Sequence, residues 1–333
     1  MLERVPESAL KVGIRLLLTV VILMILVNAV GWDLVWQALL EASWPWLVAM
    51  YTAVLAIQVL NALQLQRLLR GIGVEVRLGR AFLASQLASF YSLIVPGDLA
   101  ASAAKWANLS VATGKRSLVL NALLYNKLLT MTVPAAIGAM ALAIDNPFGR
   151  LWVTVLAFVI FGGLLLLMAL LYSPRLGTWS ERRIRWIADR FPERIALRLG
   201  FAINSLTEVR RLPGREHVLL LSFAIVGVSL GVARVFFGIE ALDLGVSPFA
   251  VLWIMAFTLI ARLLPITVAN LGIRESLLVV ALTPLGVPAE QAVALGLLGF
   301  STIVLLAVIG GVYQITLLAG WSSRRGNSRQ GDN

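Results

Sequence analysis

The stretch "LPITVANLGIRES", Leu264 to Ser276, holds the two residues of this chain best suited to chemistry, Arg274 and Glu275, inside an otherwise apolar run. A guanidinium is a planar fork that grips a phosphate or carboxylate through two hydrogen bonds. Adjacent side chains on a helix diverge by about 100°, so Arg274 and Glu275 are not expected to neutralise each other fully, and each needs a further partner. Two readings stay open. Glu275 pairs with Arg262 or Arg234 as a structural ion pair, or Arg274 faces a cavity and takes an anionic group. A half-helix beginning near Asn270 would aim the positive end of its dipole at the same place, which favours an anion.

A second set of polar residues interrupts an earlier apolar run, "LASQLASFYSLIVPGDLAASAAKW". Asp98 is placed to cap a helix starting at Leu99 by accepting its free backbone N–H groups, or to take a substrate or proton. Lys105 lies seven residues on, two turns along the same face, too far for direct pairing with Asp98. Lys127, in "LLYNKLLT", stands ten residues into its helix from Ser117. That depth favours a cavity-facing lysine over one that merely snorkels, with Asn126 and Tyr125 around the same turn. Asn61, Gln64, Asn121 and Gln314 read as interhelical hydrogen-bond glue.

Other chemistry is excluded or unexpected. The chain has no Cys, which removes disulfides, Cys-ligated metals and thiol catalysis. Its one histidine, His217, ends a basic segment, so a His-based metal or catalytic site is not expected. Phosphate-loop, zinc-protease and nucleophile-elbow motifs are missing. No catalytic residue, metal or cofactor is expected, and the chain is read as something other than an enzyme.

These residues must be positioned in a membrane. Of 333 residues, 59% are hydrophobic and 14% charged; a soluble domain is closer to half apolar and a quarter charged. Apolar runs long enough to cross a bilayer, about 18 residues or more, fall at 12–30, 44–66, 117–143, 151–172, 217–240 and 289–318. The first continues into "GWDLVWQ" without a small-residue cleavage site and is read as a retained helix, not a signal peptide.

The formal charge of +11 resolves into topology. With a cytoplasmic N-terminus, 23 of the 28 basic residues fall in inside segments, ten of them arginines between Arg175 and Arg215. The outside loops hold only Arg150, beside Asp33, Glu41, Asp145, Glu240, Asp243 and Glu290. This is the positive-inside asymmetry, and it leaves no basic surface for nucleic acid. It requires the interrupted stretches, about 81–113 and 248–285, each to enter and leave on one side. The reading is two re-entrant hairpins from opposite faces, with tips at "VPGD" (95–98) and "ITVAN" (266–270) and Pro96, Gly97, Pro265 and Gly272 as the breaking residues. Such backbone is tolerated at depth only where protein or water shields it.

The expected fold is an all-α polytopic membrane protein: one integral domain of about six spanning helices plus two oppositely oriented re-entrant hairpins. Segment 44–143 forms one repeat and 217–318 the same order turned upside down, with no residue identity between them. Inverted repeats with broken helices place substrate sites at the repeat interface. Residues 179–212 form an amphipathic segment, with Ile195, Leu199, Ala202, Leu206 and Val209 on one face and arginines opposite, suited to an anionic cytoplasmic leaflet.

"LPITVANLGIRES…LGVPAEQAVALGLL" and the Pro-Gly segment around Pro96 resemble the lysylphosphatidylglycerol synthase transmembrane-region, or flippase-like, family, over roughly residues 10–320. The resemblance implies translocation of aminoacylated, glycosylated or polyprenyl-linked anionic lipids across a bacterial or archaeal inner membrane, with both termini cytoplasmic. Bifunctional members append an aminoacyltransferase domain. This chain stops about ten residues after its last helix, so lipid synthesis is not expected. Where many relatives carry a small residue and then an arginine after Pro-Gly, this sequence has Asp98, with Lys105 as substitute cation. The implied partners are membrane lipids with anionic headgroups. A scaffold for a biosynthetic enzyme and a small-solute transporter remain open; a lateral opening from a basic cavity to lipid separates the first reading from a sealed scaffold.

Overall fold

The computed structural model describes residues 32–94, 98–188, 208–263 and 271–330. Every regular element among them is helical. In chain order they are α1 (Trp32–Leu40), α2 (Trp44–Gly71), α3 (Leu78–Ile94), α4 (Asp98–Thr113), α5 (Arg116–Ile144), α6 (Leu151–Tyr172), α7 (Pro174–Ala188), α8 (Gly214–Ala241), α9 (Pro248–Leu263), α10 (Ile273–Leu282), a 3-10 turn (Thr283–Leu285) and α11 (Ala289–Gln330). Five helices are long and apolar enough to cross a membrane: α2, α5, α6, α8 and the part of α11 through Thr316. The run 12–30, expected as a sixth span, lies outside the described residues, as do the tip residues Pro96, Gly97 and Pro265.

The helices overrun the expected spans because an apolar window marks bilayer contact, not helix length. α2 continues past residue 66 through Arg67 and Arg70 to Gly71. α6 shows the opposite economy: apolar all round, it buries only Val153 and Tyr172 and leaves the rest for lipid. α5 buries fourteen residues, among them Asn121, Tyr125 and Thr132. The structure thus separates a peripheral helix from a central one that hydropathy alone ranks together.

The two halves share a register. An interval of 170 residues separates Trp44 from Gly214, Gly71 from Ala241 and Leu78 from Pro248. The turns after α2 and α8 repeat one conformation. Ile72, Val74 and Val76 are buried in the first, Leu242, Leu244 and Val246 in the second. The residue after Ile72 is Gly73 at φ 74°, and after Leu242 it is Asp243 at φ 49°. Asp is among the few side chains that tolerate the left-handed region. The repeat expected from topology alone is therefore a repeat of backbone conformation carried by unlike residues.

Packing respects the same symmetry. α2 lies antiparallel on α8: Gln64 Nε2 donates to the Leu220 carbonyl at 3.1 Å, and Arg67 grips Glu216 with Nε–Oε2 at 2.9 Å and Nη2–Oε1 at 2.6 Å. The pairs α3–α4 and α9–α10 each pack as a hairpin, and each hairpin packs on the closing helix of the other half, α3 on α11 and α9 on α5. α6 covers α5, and α1 covers α11.

Two apolar cores result. One, at the end carrying Asp145, Glu240 and Asp243, centres on Trp253, Ile254, Leu282 and Leu295. The other, at the end rich in arginine, centres on Leu65, Leu68, Leu109 and Tyr125. At the basic end Lys115 Nζ donates to the Gly73 carbonyl at 2.6 Å, Tyr125 Oη meets His217 Nδ1 at 2.8 Å and Arg210 Nε donates to the Leu171 carbonyl at 2.7 Å. At the acidic end the Ser43 N–H donates to the Ala241 carbonyl at 2.8 Å. Of the expected amphipathic segment 179–212, α7 covers the first ten residues and Val209 is buried; Ile195, Leu199, Ala202 and Leu206 lie outside the described residues.

Candidate functional site

A cavity of about 450 Å³ lies between the two cores, partly open to the surroundings. Its floor is the crossing of α2 and α8. The antiparallel contact of those helices is centred near Gln58 and Val228, which are equivalent under the 170-residue shift, and both line the cavity. The space thus sits on the pseudo-two-fold axis. Gly227, Gly231 and Gly238 of α8 and Gly299 of α11 keep it from being filled. Pro134 on α5 lines it too; it has no N–H for the Thr130 carbonyl one turn earlier, and Thr130 also faces the space.

The charge in the cavity is supplied by Arg274 from α10 and Arg234 from α8. Both point at Gly299: the place a Cβ would occupy there lies 3.7 Å from Arg274 Nη1 and 3.9 Å from Arg234 Nη1. A methyl group there would just reach van der Waals contact with both guanidiniums, and a larger side chain would enter the space between them. Ser89, Ser92, Thr302 and Asn61 add hydroxyl and amide groups. Twin guanidiniums with small polar neighbours in an apolar surround offer the donors that an anion with several acceptor oxygens could take.

Arg274 and Glu275 pair with each other, contrary to the expectation that each needs another partner. Arg274 Nε and Nη2 both donate to Glu275 Oε1, Nε at 3.1 Å. The 100° argument assumes side chains projecting from mid-helix. Here both residues stand in the first turn of α10, where Glu275 folds back along the open end. Its other oxygen, Oε2, accepts from the Gly272 N–H at 2.6 Å. That is the carboxylate half of a capping box, and Gly272, without a side chain, supplies no reciprocal half. Gly272 sits at φ 86°, a backbone that its lack of a Cβ permits. The helix starts at Ile273, three residues later than the expected start near Asn270, which itself lies outside the described residues. Glu275 is fully buried, and its Cγ stands 2.7 Å from where a Cβ on Gly296 would be. The partner the described residues give that carboxylate is Arg274; Arg234 lines the cavity, and Arg262 lies in α9 with its side chain outside those described.

The cations of the first half stand elsewhere. Lys105 on α4 and Lys127 on α5 approach closely enough to repel each other. Ala101 and Thr130, one turn deeper on the same two helices, line the central cavity, and the lysines do not. Asn126, beside Lys127, has its Oδ1 buried without a hydrogen-bond partner among the described residues. Asp98 is the first residue of α4, and its side chain is outside those described. The structure therefore brings Arg274, Glu275 and Gly272 together, sets Lys105, Lys127 and Asn126 a turn away, and adds Arg234. Sequence reasoning had named Arg234 only as a counter-ion. The signal for its role was in the glycines: Gly231, Gly238, Gly296 and Gly299 clear space for long side chains on facing helices.

An inverted pair of helical units around a basic, axial cavity defines a polytopic membrane protein of transporter-like architecture. The chain belongs to the family described as the lysylphosphatidylglycerol synthase TM region, whose model matches residues 12–311. Comparisons with curated proteins and with solved structures returned no match.

Proposed function

We propose that the protein moves an anionic lipid, aminoacylated, glycosylated or polyprenyl-linked, between the leaflets of a bacterial or archaeal inner membrane. The central cavity takes the headgroup while the tails stay in the bilayer. The observation that carries this reading is the convergence of Arg234 and Arg274 on Gly299 in a space on the pseudo-two-fold axis. An arginine at membrane depth costs at least about 2.5 kcal/mol on insertion scales. Glu275 offsets that cost for Arg274, and Arg234 lies beside it with a second guanidinium facing the same space. A phosphate between the two could accept charge-assisted hydrogen bonds from both guanidiniums.

In the same reading the hairpins are re-entrant. α3 and α4, with 17 and 16 residues, span about 25 Å each at 1.5 Å per residue, short of the roughly 30 Å hydrocarbon core. α10, with ten residues, spans about 15 Å. The basic end is cytoplasmic by the positive-inside bias, which puts both termini inside. The chain works on lipid without catalysis of its own and without nucleic acid.

Reconstitution of the full chain into liposomes with a fluorescent anionic lipid tests this. The expected result is protein-dependent loss of leaflet asymmetry, reduced at least about tenfold by Arg274→Gln, the loss of one charge-assisted contact to the headgroup. Normal transport by a folded Arg274→Gln protein overturns the headgroup assignment. No lipid movement by wild-type protein favours a scaffold for a lipid or glycan biosynthetic enzyme.

A further inference from the structure

A second cavity, of about 530 Å³, shares no lining residue with the first. It is a groove at the acidic end between α5, α6 and α10, walled by Leu142, Leu156, Ile160, Leu277 and Val280. Leu156 and Val280 are 42% and 55% exposed, so the groove opens on the flank that faces hydrocarbon. Arg150 and Trp152 stand at its mouth.

Arg150 is the one basic side chain among the described residues at that end, where Asp33, Glu41, Asp145, Glu240, Asp243 and Glu290 otherwise cluster. It is exposed, and its guanidinium holds no carboxylate among the described residues. The loop presenting it is nonetheless built. Asn146 Nδ2 donates to the Arg150 carbonyl at 2.9 Å and to Thr154 Oγ1 at 3.0 Å, and Asn146 Oδ1 accepts from the Phe148 N–H at 3.0 Å. Trp152 suits the interfacial layer in which such an arginine would lie.

We propose that this groove binds one anionic phospholipid of the adjacent leaflet, its phosphate on Arg150 and one acyl chain along Leu156, Ile160, Leu277 and Val280. The occupant is a lipid because the wall is apolar and open to the side, and an anionic one because the single unmatched charge at the mouth is positive. Burying a tail here brings no gain from leaving water, since lipid already surrounds it. Selectivity therefore rests on net charge: a zwitterionic lipid also offers Arg150 a phosphate, but its ammonium opposes the guanidinium, and an anionic headgroup has no such cation. The bound lipid touches the mechanism through α10, whose Arg274 and Leu278 face the central cavity while Leu277 and Val280 face the groove. It packs against the back of the helix that carries the cavity's arginine.

The test uses the full chain in phosphatidylcholine liposomes doped with a phosphatidylglycerol or a phosphatidylcholine bearing a photoreactive diazirine on the acyl chain. Crosslinked peptides are then read by mass spectrometry. The phosphatidylglycerol probe is expected to label peptides covering 152–160 and 277–284 about tenfold more than the phosphatidylcholine probe, whose choline ammonium opposes Arg150. Arg150→Gln removes that difference, and Val280→Trp, which fills the groove, removes labelling by both probes at these peptides alone. In Arg274→Gln protein that still melts cooperatively the labelling is unchanged, so the site stands or falls apart from lipid transport. Equal labelling by the two probes in the wild type, or a preference that survives Arg150→Gln, means ordinary surrounding lipid and overturns the proposal. Arg150→Gln lies on an exposed loop and decides the matter even if Val280→Trp does not fold.

Discussion

Glu275 holds two groups at once, the Gly272 N–H through Oε2 and the Arg274 guanidinium through Oε1. Removing its charge leaves the Arg274 guanidinium, 14% exposed, without its buried counter-ion. Breaking such a pair from one side costs about 3 kcal/mol or more. Glu275→Gln is therefore expected to lower the thermal transition in detergent sharply, and Arg274→Gln in the same chain to recover part of the loss; an unchanged transition in Glu275→Gln shows that the clamp does not stabilise the fold. The glycines opposite give a finer test. A Cβ at Gly296 meets Glu275 Cγ at 2.7 Å, while one at Gly299 meets nothing closer than Arg274 Nη1 at 3.7 Å. Gly296→Ala is expected to cost on the order of 1–3 kcal/mol. Gly299→Ala is expected to be neutral or slightly stabilising, since Ala in a helix gains about 0.5–1 kcal/mol over Gly. Equal melting of the two variants rules out the packing argument. At this scale the residue types were legible in the sequence and the pairing was not. Helical angles alone separate Arg274 from Glu275, and only the position of α10's first turn lets the carboxylate reach back.

Helices exchange partners between halves, and the closest exchange is α3 on α11. A Cβ on Gly310 would come within 2.1 Å of the Gln86 carbonyl oxygen, whereas one on Gly311 would meet only the Phe90 ring at 3.1 Å. Backbone cannot yield as a ring can. Gly310→Ala is expected to separate α3 from α11 and abolish a monodisperse peak in size-exclusion chromatography, while Gly311→Ala keeps it. Two intact peaks would mean that α11 packs on α3 less closely than this. Five of the six expected spans and the order of the described elements followed from hydropathy and charge, because the bilayer sorts segments by length and sign. The residue register between halves did not, because equivalent sites carry unlike residues. Gly73 and Asp243 share a left-handed backbone, and Gln64 occupies the place of Arg234 one interval of 170 earlier. Selection on backbone shape leaves only scattered identities, such as Val76 with Val246 and Leu60 with Leu230.

Across the whole molecule the inverted arrangement predicts which of the described loops share a side. Arg77 and Lys115 flank the first hairpin at the end where Lys115 bonds the Gly73 carbonyl and Arg67 grips Glu216. Asp145 and Glu290 lie with the acidic residues at the other end, next to the α1, α9 and α11 termini that bury Val35, Val246 and Val287 in one core. The native chain has no Cys, so single cysteines report without background. Arg77→Cys and Lys115→Cys are expected to react with a membrane-impermeant maleimide only after the cytoplasmic face is opened. Asp145→Cys and Glu290→Cys should react from the periplasmic face of intact spheroplasts. The four sites test separate links. If 77 and 115 react from opposite faces, the first hairpin is a through-span and the repeat is not inverted. If 145 shares a face with 115, α5 does not cross, and the axial cavity loses the membrane depth on which lipid translocation depends.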